Sequence, residues 1–261
     1  MTEDLPSIMS DTPAPAPPPH DADTLAMVEA MLDGRPPPDE VLARFGTPEA
    51  TAERTARAAR RRERDWSDLG RYREANAGVE APELVMIGDS LTEIWGLATP
   101  DLFGNRVVNR GISGQTSPQV LLRFIADVVE LKPRAVHILC GGNDIAGNTG
   151  PNTPEDYQRN IRAMVDLATF GGIRVLLGSI TPVLGTIAWS PEAQPGRFIP
   201  RLNAWLRAFA AERGTTFIDY HAALEDGAGQ LQARYSGDGA HLTRPAYLVM
   251  RDMLEEALAR V

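Results

Sequence analysis

The chain has 261 residues, 43% of them hydrophobic, enough for one sizeable core with an appended arm and no need of disulfide staples. Its formal net charge of −9 argues against nucleic acid or an anionic membrane surface as principal partner, because both depend on clustered positive charge. The single cysteine, Cys140, ends an apolar run, is expected to be a buried strand residue and can form no intramolecular disulfide, which fits a reducing, cytoplasmic setting. Neither Met1 nor Met9 is followed by a basic stretch and the apolar core of a leader, and no apolar run is long enough for stable membrane insertion.

Residues 1–21 include Pro13-Ala14-Pro15-Ala16-Pro17-Pro18-Pro19, which lacks backbone donors and favours solvated, extended chain, so this tail is expected to be disordered. Residues 22–82 are expected to form a helical arm. Leu25, Val28, Met31 and Leu32 share one helical face that docks on the main domain or offers a surface for homo-oligomer formation. After Pro36-Pro37-Pro38, Thr47-Pro48 supplies an N-cap and a first-turn proline for a helix running to about Arg64. Its Arg60, Arg61, Arg62 and Arg64 are interleaved with Glu49, Glu53 and Glu63, the pattern of a solvated face rather than of an anion site.

From residue 83 the pattern changes to short apolar runs separated by longer helical stretches. Strands are expected at Leu84–Ile87, Arg106–Asn109, Ala135–Cys140, Ile173–Gly178 and Thr216–Asp219. Helices are expected at Ser117–Leu131, Pro154–Phe170, Ile199–Arg213 and Arg244–Arg260. Five strands apolar on both faces imply a parallel sheet in a three-layer α/β/α sandwich, with ligands outside the carboxyl ends of the strands.

Polar residues gather at those ends. Ser90 follows Gly88-Asp89, where a strand gives way to a helix whose first turn offers unpaired N–H groups to a developing negative charge. Ser90 with Glu93 also fits a capping box, a purely structural use. Of the four histidines, His20 lies in the proline-rich tail, His137 inside an apolar strand, and His221 near a strand end where a structural hydrogen bond suits it better than a substrate contact. His241 remains as a general base, with Asp238 three residues earlier able to turn back and orient its ring. Gly114 can bring a backbone N–H close to substrate and Asn143 a side-chain amide, so that with the Ser90 N–H they make three donors for an oxyanion. Asp89 and Asp144 suit the bracing of two turns rather than proton transfer.

With these blocks in place, Gly88-Asp89-Ser90-Leu91, Gly111-Ile112-Ser113-Gly114, Gly141-Gly142-Asn143-Asp144 and Asp238-Gly239-Ala240-His241, the chain resembles the SGNH hydrolase superfamily, the GDSL esterases and lipases. The resemblance covers residues 83–261 and implies a flavodoxin-like hydrolase domain there. It further implies Ser90 as nucleophile, His241 as base, Asp238 as its orienter, Ser90, Gly114 and Asn143 as the oxyanion hole, and no metal or organic cofactor. Ala246-Tyr247 departs from the family's usual Gly-Tyr, a matter of helix packing. The expected reaction is hydrolysis of a small-molecule ester, short-chain and above all acetyl, through an acyl-enzyme. A lysophospholipase or acyl thioesterase on the same residues is the nearer rival, and a silent binding protein the more distant one. The segment from Ile180 to Ile199, with Leu184 and Trp189, is expected to wall the pocket, and Ile94, Trp95 and Leu184 are candidates to limit the acyl end, though core packing is the default for each.

Overall fold

Apolar β-rich runs bounded by glycine and charged residues become five strands in the computed structural model, which describes residues 20–187 and 190–261. They are β1 (Leu84–Gly88), β2 (Val107–Gly111), β3 (Ala135–Leu139), β4 (Arg174–Gly178) and β5 (Thr216–Ile218). All pair parallel, in the order β2-β1-β3-β4-β5. Gly88 stands level with Gly111 on one side and Leu139 on the other, so the chain leaves β1, β2 and β3 at one edge of the sheet. The connections leaving the neighbouring strands β1 and β3 run to opposite faces of the sheet, opening the crevice in which α/β sheets hold ligands.

Helices fill the crossovers. The arm carries α1 (Ala22–Leu32), α2 (Asp39–Phe45), α3 (Pro48–Arg64) and α4 (Arg73–Ala77). Between and after the strands come α5 (Ser90–Ala98), α6 (Ser117–Asp127), α7 (Gly142–Ala146), α8 (Pro154–Phe170), α9 (Pro195–Arg213), α10 (Tyr220–Leu224) and α11 (Arg244–Leu258). Strand alternation sorts the core into two layers. Val85, Ile87, Val136 and Ile138 face Phe124 of α6, Ile161 and Met164 of α8, and Leu206 and Phe209 of α9. Leu84, Met86 and Leu176 face the other way, onto Trp95 of α5, Leu224 of α10, and Tyr247 and Met250 of α11. The sandwich expected from the sequence is the fold observed.

Element ends differ in small ways. The α6 segment stops at Asp127 because Val128 leaves helical backbone, and a 3₁₀ turn at Val129–Leu131 runs into Lys132 at φ 52°. The α9 helix begins at Pro195 rather than Ile199, with Pro195 in the first turn and Pro200 inside the helix, where it gives up one i→i−4 hydrogen bond. The five- to seven-residue helices α2, α4, α7 and α10 are too short to show a period in sequence.

The arm is docked. Leu32 and Ala30 of α1 are fully buried, and Arg244 at the start of α11 donates to Glu29 (3.0 Å), Asp33 (3.4 Å) and the Leu97 carbonyl (3.1 Å). Of the expected disordered tail, residues 1–19 lie outside the described residues, as do Trp189 and the side chains of Arg60, Arg61, Arg62 and Arg64.

Candidate active site

Two glycines make the first turn possible. A Cβ on Gly88 would sit 2.0 Å from the Leu139 carbonyl oxygen, and one on Gly111 would sit 2.1 Å from the Glu93 nitrogen. With both absent, α5 starts directly against β2 and β3. Asp89 caps that helix, accepting from Leu91 N–H at 3.0 Å, and Ser90 is its first residue. The capping box expected as the bland use of Ser90 and Glu93 does not form. Glu93 instead accepts from Ser113 N–H (2.8 Å) and Arg71 (2.8 Å). Burial alone would push the Glu93 carboxyl up, but hydrogen bonds from His20 and Ser113 and the Arg71 charge hold it at about 2. Ser90 is 9% exposed, and its hydroxyl has no hydrogen-bond partner among the described residues.

Asp238 and His241 form a self-contained turn. Asp238 Oδ1 accepts from the Ala240 and His241 N–H groups (2.9 and 2.8 Å), while Oδ2 lies 2.7 Å from His241 Nδ1. Partial burial opposes ionisation of Asp238, yet these hydrogen bonds and the adjacent imidazole hold its carboxyl well below the usual range. An ionised Asp238 fixes the ring with Nδ1 toward it and leaves Nε2 to face the cavity. Gly239, at φ +89°, makes the turn, and its carbonyl accepts from Leu184 N–H at 2.7 Å, tying the loop after β4 to the histidine loop. Behind the site, Tyr247 O–H donates to the Leu91 carbonyl at 3.0 Å and pins α11 to the serine turn.

Asn143 is 7% exposed, at the start of α7. Its Nδ2 donates to the Gln115 carbonyl at 3.0 Å, and its Oδ1 accepts from Asn148 at 2.7 Å. Gly114 takes the left-handed backbone (φ +79°) that brings this loop beside Asn143, and its N–H has no partner among the described residues. Arg123, fully buried, donates to the Gly88 carbonyl (2.9 Å), Gln115 Oε1 (2.6 Å) and Asp127 (2.9 Å), lacing the serine turn to the Gly114–Gln115 loop from below.

Ser90, Asn143 and His241 line one cavity of about 50 Å³, whose apolar wall includes Ile145, Ile180, Val183, Ile187 and Ile199. Gly114 is not a wall of that cavity; its carbonyl accepts from Asn148, and the carbonyl of the next residue, Gln115, accepts from Asn143. Ile94 and Trp95, candidates to limit the acyl end, are instead core residues packed with Leu84 and Met86, and Leu184 is an exposed neighbour of the histidine loop. Of the apolar wall, Ile180, Val183, Ile187 and Ile199 belong to the segment from Ile180 to Ile199 expected to wall the pocket, while Ile145, in the short helix α7, was not foreseen. Asp144 braces a turn, accepting from Ser117 N–H at 2.9 Å, and burial raises its carboxyl. His137 is a core imidazole driven down to about 3 by burial, its Nε2 3.1 Å from the Tyr220 hydroxyl. His221 is placed by its backbone N–H on Ser179 Oγ at 2.8 Å and does not line the cavity. Cys140 is buried and its thiol is pushed up by that burial. Among the described residues no group of His, Cys, Asp or Glu is arranged to hold a metal ion, and no helix is long and apolar enough to cross a membrane.

A serine at a strand-to-helix turn, a carboxylate-held histidine and an amide on one cavity define the hydrolase class of α/β proteins that work by acyl transfer. The sequence profile of the GDSL-like lipase/acylhydrolase family matches residues 86–249. Esterase TesA of Pseudomonas aeruginosa is 32% identical over 188 residues, which are 67% of this chain and 85% of that protein. Among solved structures, an acylhydrolase assignment from Bacteroides fragilis is 37% identical with a TM-score of 0.72, covering 75% of this chain and 98% of that one. A GDSL-like lipase from Bacteroides thetaiotaomicron is 34% identical with a TM-score of 0.71, covering 75% of this chain and 99% of that one. The chain belongs to the GDSL-like lipase/acylhydrolase family, within the SGNH superfamily, and is a carboxylic ester hydrolase. The reading as a silent binding protein falls with that.

Proposed function

We propose that this enzyme cleaves short acyl esters, acetyl esters foremost, through an acyl-enzyme on Ser90. The observation that carries the proposal is the 2.7 Å Asp238–His241 pair on the rim of a small apolar cavity that Ser90 and Asn143 share. His241 takes the Ser90 proton as Oγ adds to the ester carbonyl, and the Ser90 and Gly114 N–H groups with Asn143 Nδ2 hold the oxyanion. Collapse expels the alcohol, protonated by His241, and water enters by the same path to release the acid and restore Ser90.

Cavity size supports the short chain. About 50 Å³ closed by isoleucine and valine leaves room for an acyl group of few carbons. The buried free thiol of Cys140 supports a cytoplasmic setting. The test is a series of p-nitrophenyl esters from acetate to octanoate with wild type and Ser90→Ala. Activity should be greatest on acetate and vanish in the variant. A profile peaking at octanoate, or a strong preference for thioesters, would overturn the substrate reading, and full activity in Ser90→Ala would overturn the nucleophile.

A further inference from the structure

The amide of Asn143 is useful to an oxyanion only one way round, since its nitrogen must face the cavity and its oxygen must not. Two neighbours decide this. The Gln115 carbonyl, an acceptor only, takes one Nδ2 hydrogen at 3.0 Å. Asn148 Nδ2 donates to Asn143 Oδ1 at 2.7 Å and to the Gly114 carbonyl at 3.3 Å. Because a backbone carbonyl can only accept, the Asn148 side chain must present its nitrogen, and Asn143 must answer with its oxygen. The second Asn143 Nδ2 hydrogen then has no partner among the described residues, on a side chain that lines the cavity.

The backbone sets this up. After α7, Gly147 adopts φ +70°, its N–H donating to the Asp144 carbonyl at 3.2 Å, and Asn148 N–H reaches back to the Asn143 carbonyl at 3.1 Å. These are the two bonds of a Schellman cap, which returns the residue after the glycine to the residue five positions before it. An apolar contact commonly closes such a cap. Here an amide–amide hydrogen bond closes it, so one side chain touches both non-serine donors of the oxyanion hole.

We propose that Asn148 is a positioning residue that locks the Asn143 amide with its N–H toward the reacting carbonyl and holds the Gly114 loop beside it. The assignment rests on the oxyanion role of Asn143 given above. Asn148→Ala removes the lock but leaves the Gln115 carbonyl as a partial guide. Asn148→Asp, nearly isosteric, sets a carboxylate against Asn143 Oδ1 and so either repels the amide or turns it over.

The experiment compares kcat and KM for p-nitrophenyl acetate in wild type, Asn143→Ala, Asn148→Ala, Asn148→Asp and the Asn143→Ala/Asn148→Ala double variant, with melting curves for each. Asn143→Ala should lose about 10²-fold in kcat. Asn148→Ala should lose about tenfold in kcat with KM almost unchanged, and Asn148→Asp more than Asn148→Ala. The double variant should match Asn143→Ala alone, since a lock on a missing amide has nothing to do. If Asn143→Ala is impaired while Asn148→Ala turns over like wild type, or if the double variant loses a further tenfold, the positioning role is wrong and the oxyanion reading stands. If Asn143→Ala is as fast as wild type, both fall. Should Asn148→Ala melt below the assay temperature, Asn148→Asp decides the same question.

Discussion

Ser90 and Asn143 are buried to 9% and 7% exposure at the ends of a central sheet, whereas the side chains of Asp238 and His241 keep 41% and 24% of their surface in an outer loop. The first pair is held by contacts between distant parts of the chain. Arg123 bridges Gly88 and Gln115, the Gln115 side chain donates to the Ser67 carbonyl at 2.7 Å, and Asn76 in the arm donates to Asp127 at 2.8 Å. The hydrogen bonds of the second pair are more local, between residues 236 and 241, with one backbone bond from Leu184 to Gly239. In the mechanism proposed above, charge stabilisation falls to the buried side of the crevice, where donors must not reorganise, and proton transfer to the more exposed side. Substitutions on the two sides should therefore differ in where stability resides: on the serine side in the braces between distant segments, on the histidine side in the carboxyl of Asp238 itself.

The largest effect falls at the junction. Ser90→Ala should lower turnover by about 10⁴-fold or more while the melting temperature holds, because the hydroxyl has no hydrogen bond to lose. His241→Ala should do nearly the same, since nucleophile and base act as a unit. Asp238→Ala comes next, at about 10⁴-fold in kcat or somewhat less, with a lower melting temperature at neutral pH, because the hydrogen bonds that hold its carboxyl low are lost. Steady-state kinetics beside calorimetric melts separate the outcomes. An unchanged melting temperature for Asp238→Ala at neutral pH would show that its carboxylate does not hold the outer turn.

That contrast also governs what was legible in the amino-acid sequence. The strands could be found because residues such as Leu84–Ile87 are apolar on both faces, and their order along the chain forced parallel pairing. Asp238 and His241 could be paired because three residues separate them and the turn between holds a glycine. Ser90, Gly114 and Asn143 could be proposed from their places after strands. What braces them could not. Arg123 occupies a position in α6 that resembles a polar surface residue, yet it is fully buried, and only the folded neighbours Gly88, Gln115 and Asp127 explain it. Ile180 and Val183 line the cavity from the segment expected to wall it, whereas Ile145 sits in a helix of five residues that shows no period, and Ile94 and Trp95 take the core packing that was their default.

Arg123→Met tests the buried side directly. Asp127 is 2% exposed, and without its 2.9 Å partner it becomes a buried, unpaired carboxylate beside Asn76. The loss should be about 3–5 kcal/mol in urea unfolding, against less than about 1 kcal/mol for Arg207→Ala, whose partner Asp219 lies at the surface. Arg123→Met with Asp127→Leu should recover much of the loss, because the cost lies in the stranded charge rather than in the missing bridge. Equal stability of Arg123→Met and wild type would remove the buried guanidinium from the account of how the serine turn is held.

The smallest effect concerns Asp89, which shares the cavity with Ser90 and is 4% exposed. Burial, only partly offset by the Leu91 N–H hydrogen bond, raises its carboxyl from 3.8 to about 7. The folded protein therefore keeps a proton that the unfolded chain releases, and stability must fall as pH rises between those two values and level off above the higher. Asp89→Asn keeps the acceptor for Leu91 N–H and abolishes the titration. Its stability relative to wild type should improve by about 2 kcal/mol from about pH 5 to about pH 7, a span of two units at roughly 1.4 kcal/mol each. Asp144, raised by burial in the same direction, stays in both proteins, and its charge is one of the causes that raise Asp89. The outer turn has the opposite sign, because Asp238 is held low and contributes stability that is present above the ordinary carboxylate range and lost only as pH falls toward its depressed value. A pH-independent gap between Asp89→Asn and wild type would mean that Asp89 ionises freely in the fold and that its burial beside Ser90 does not penalise the charge.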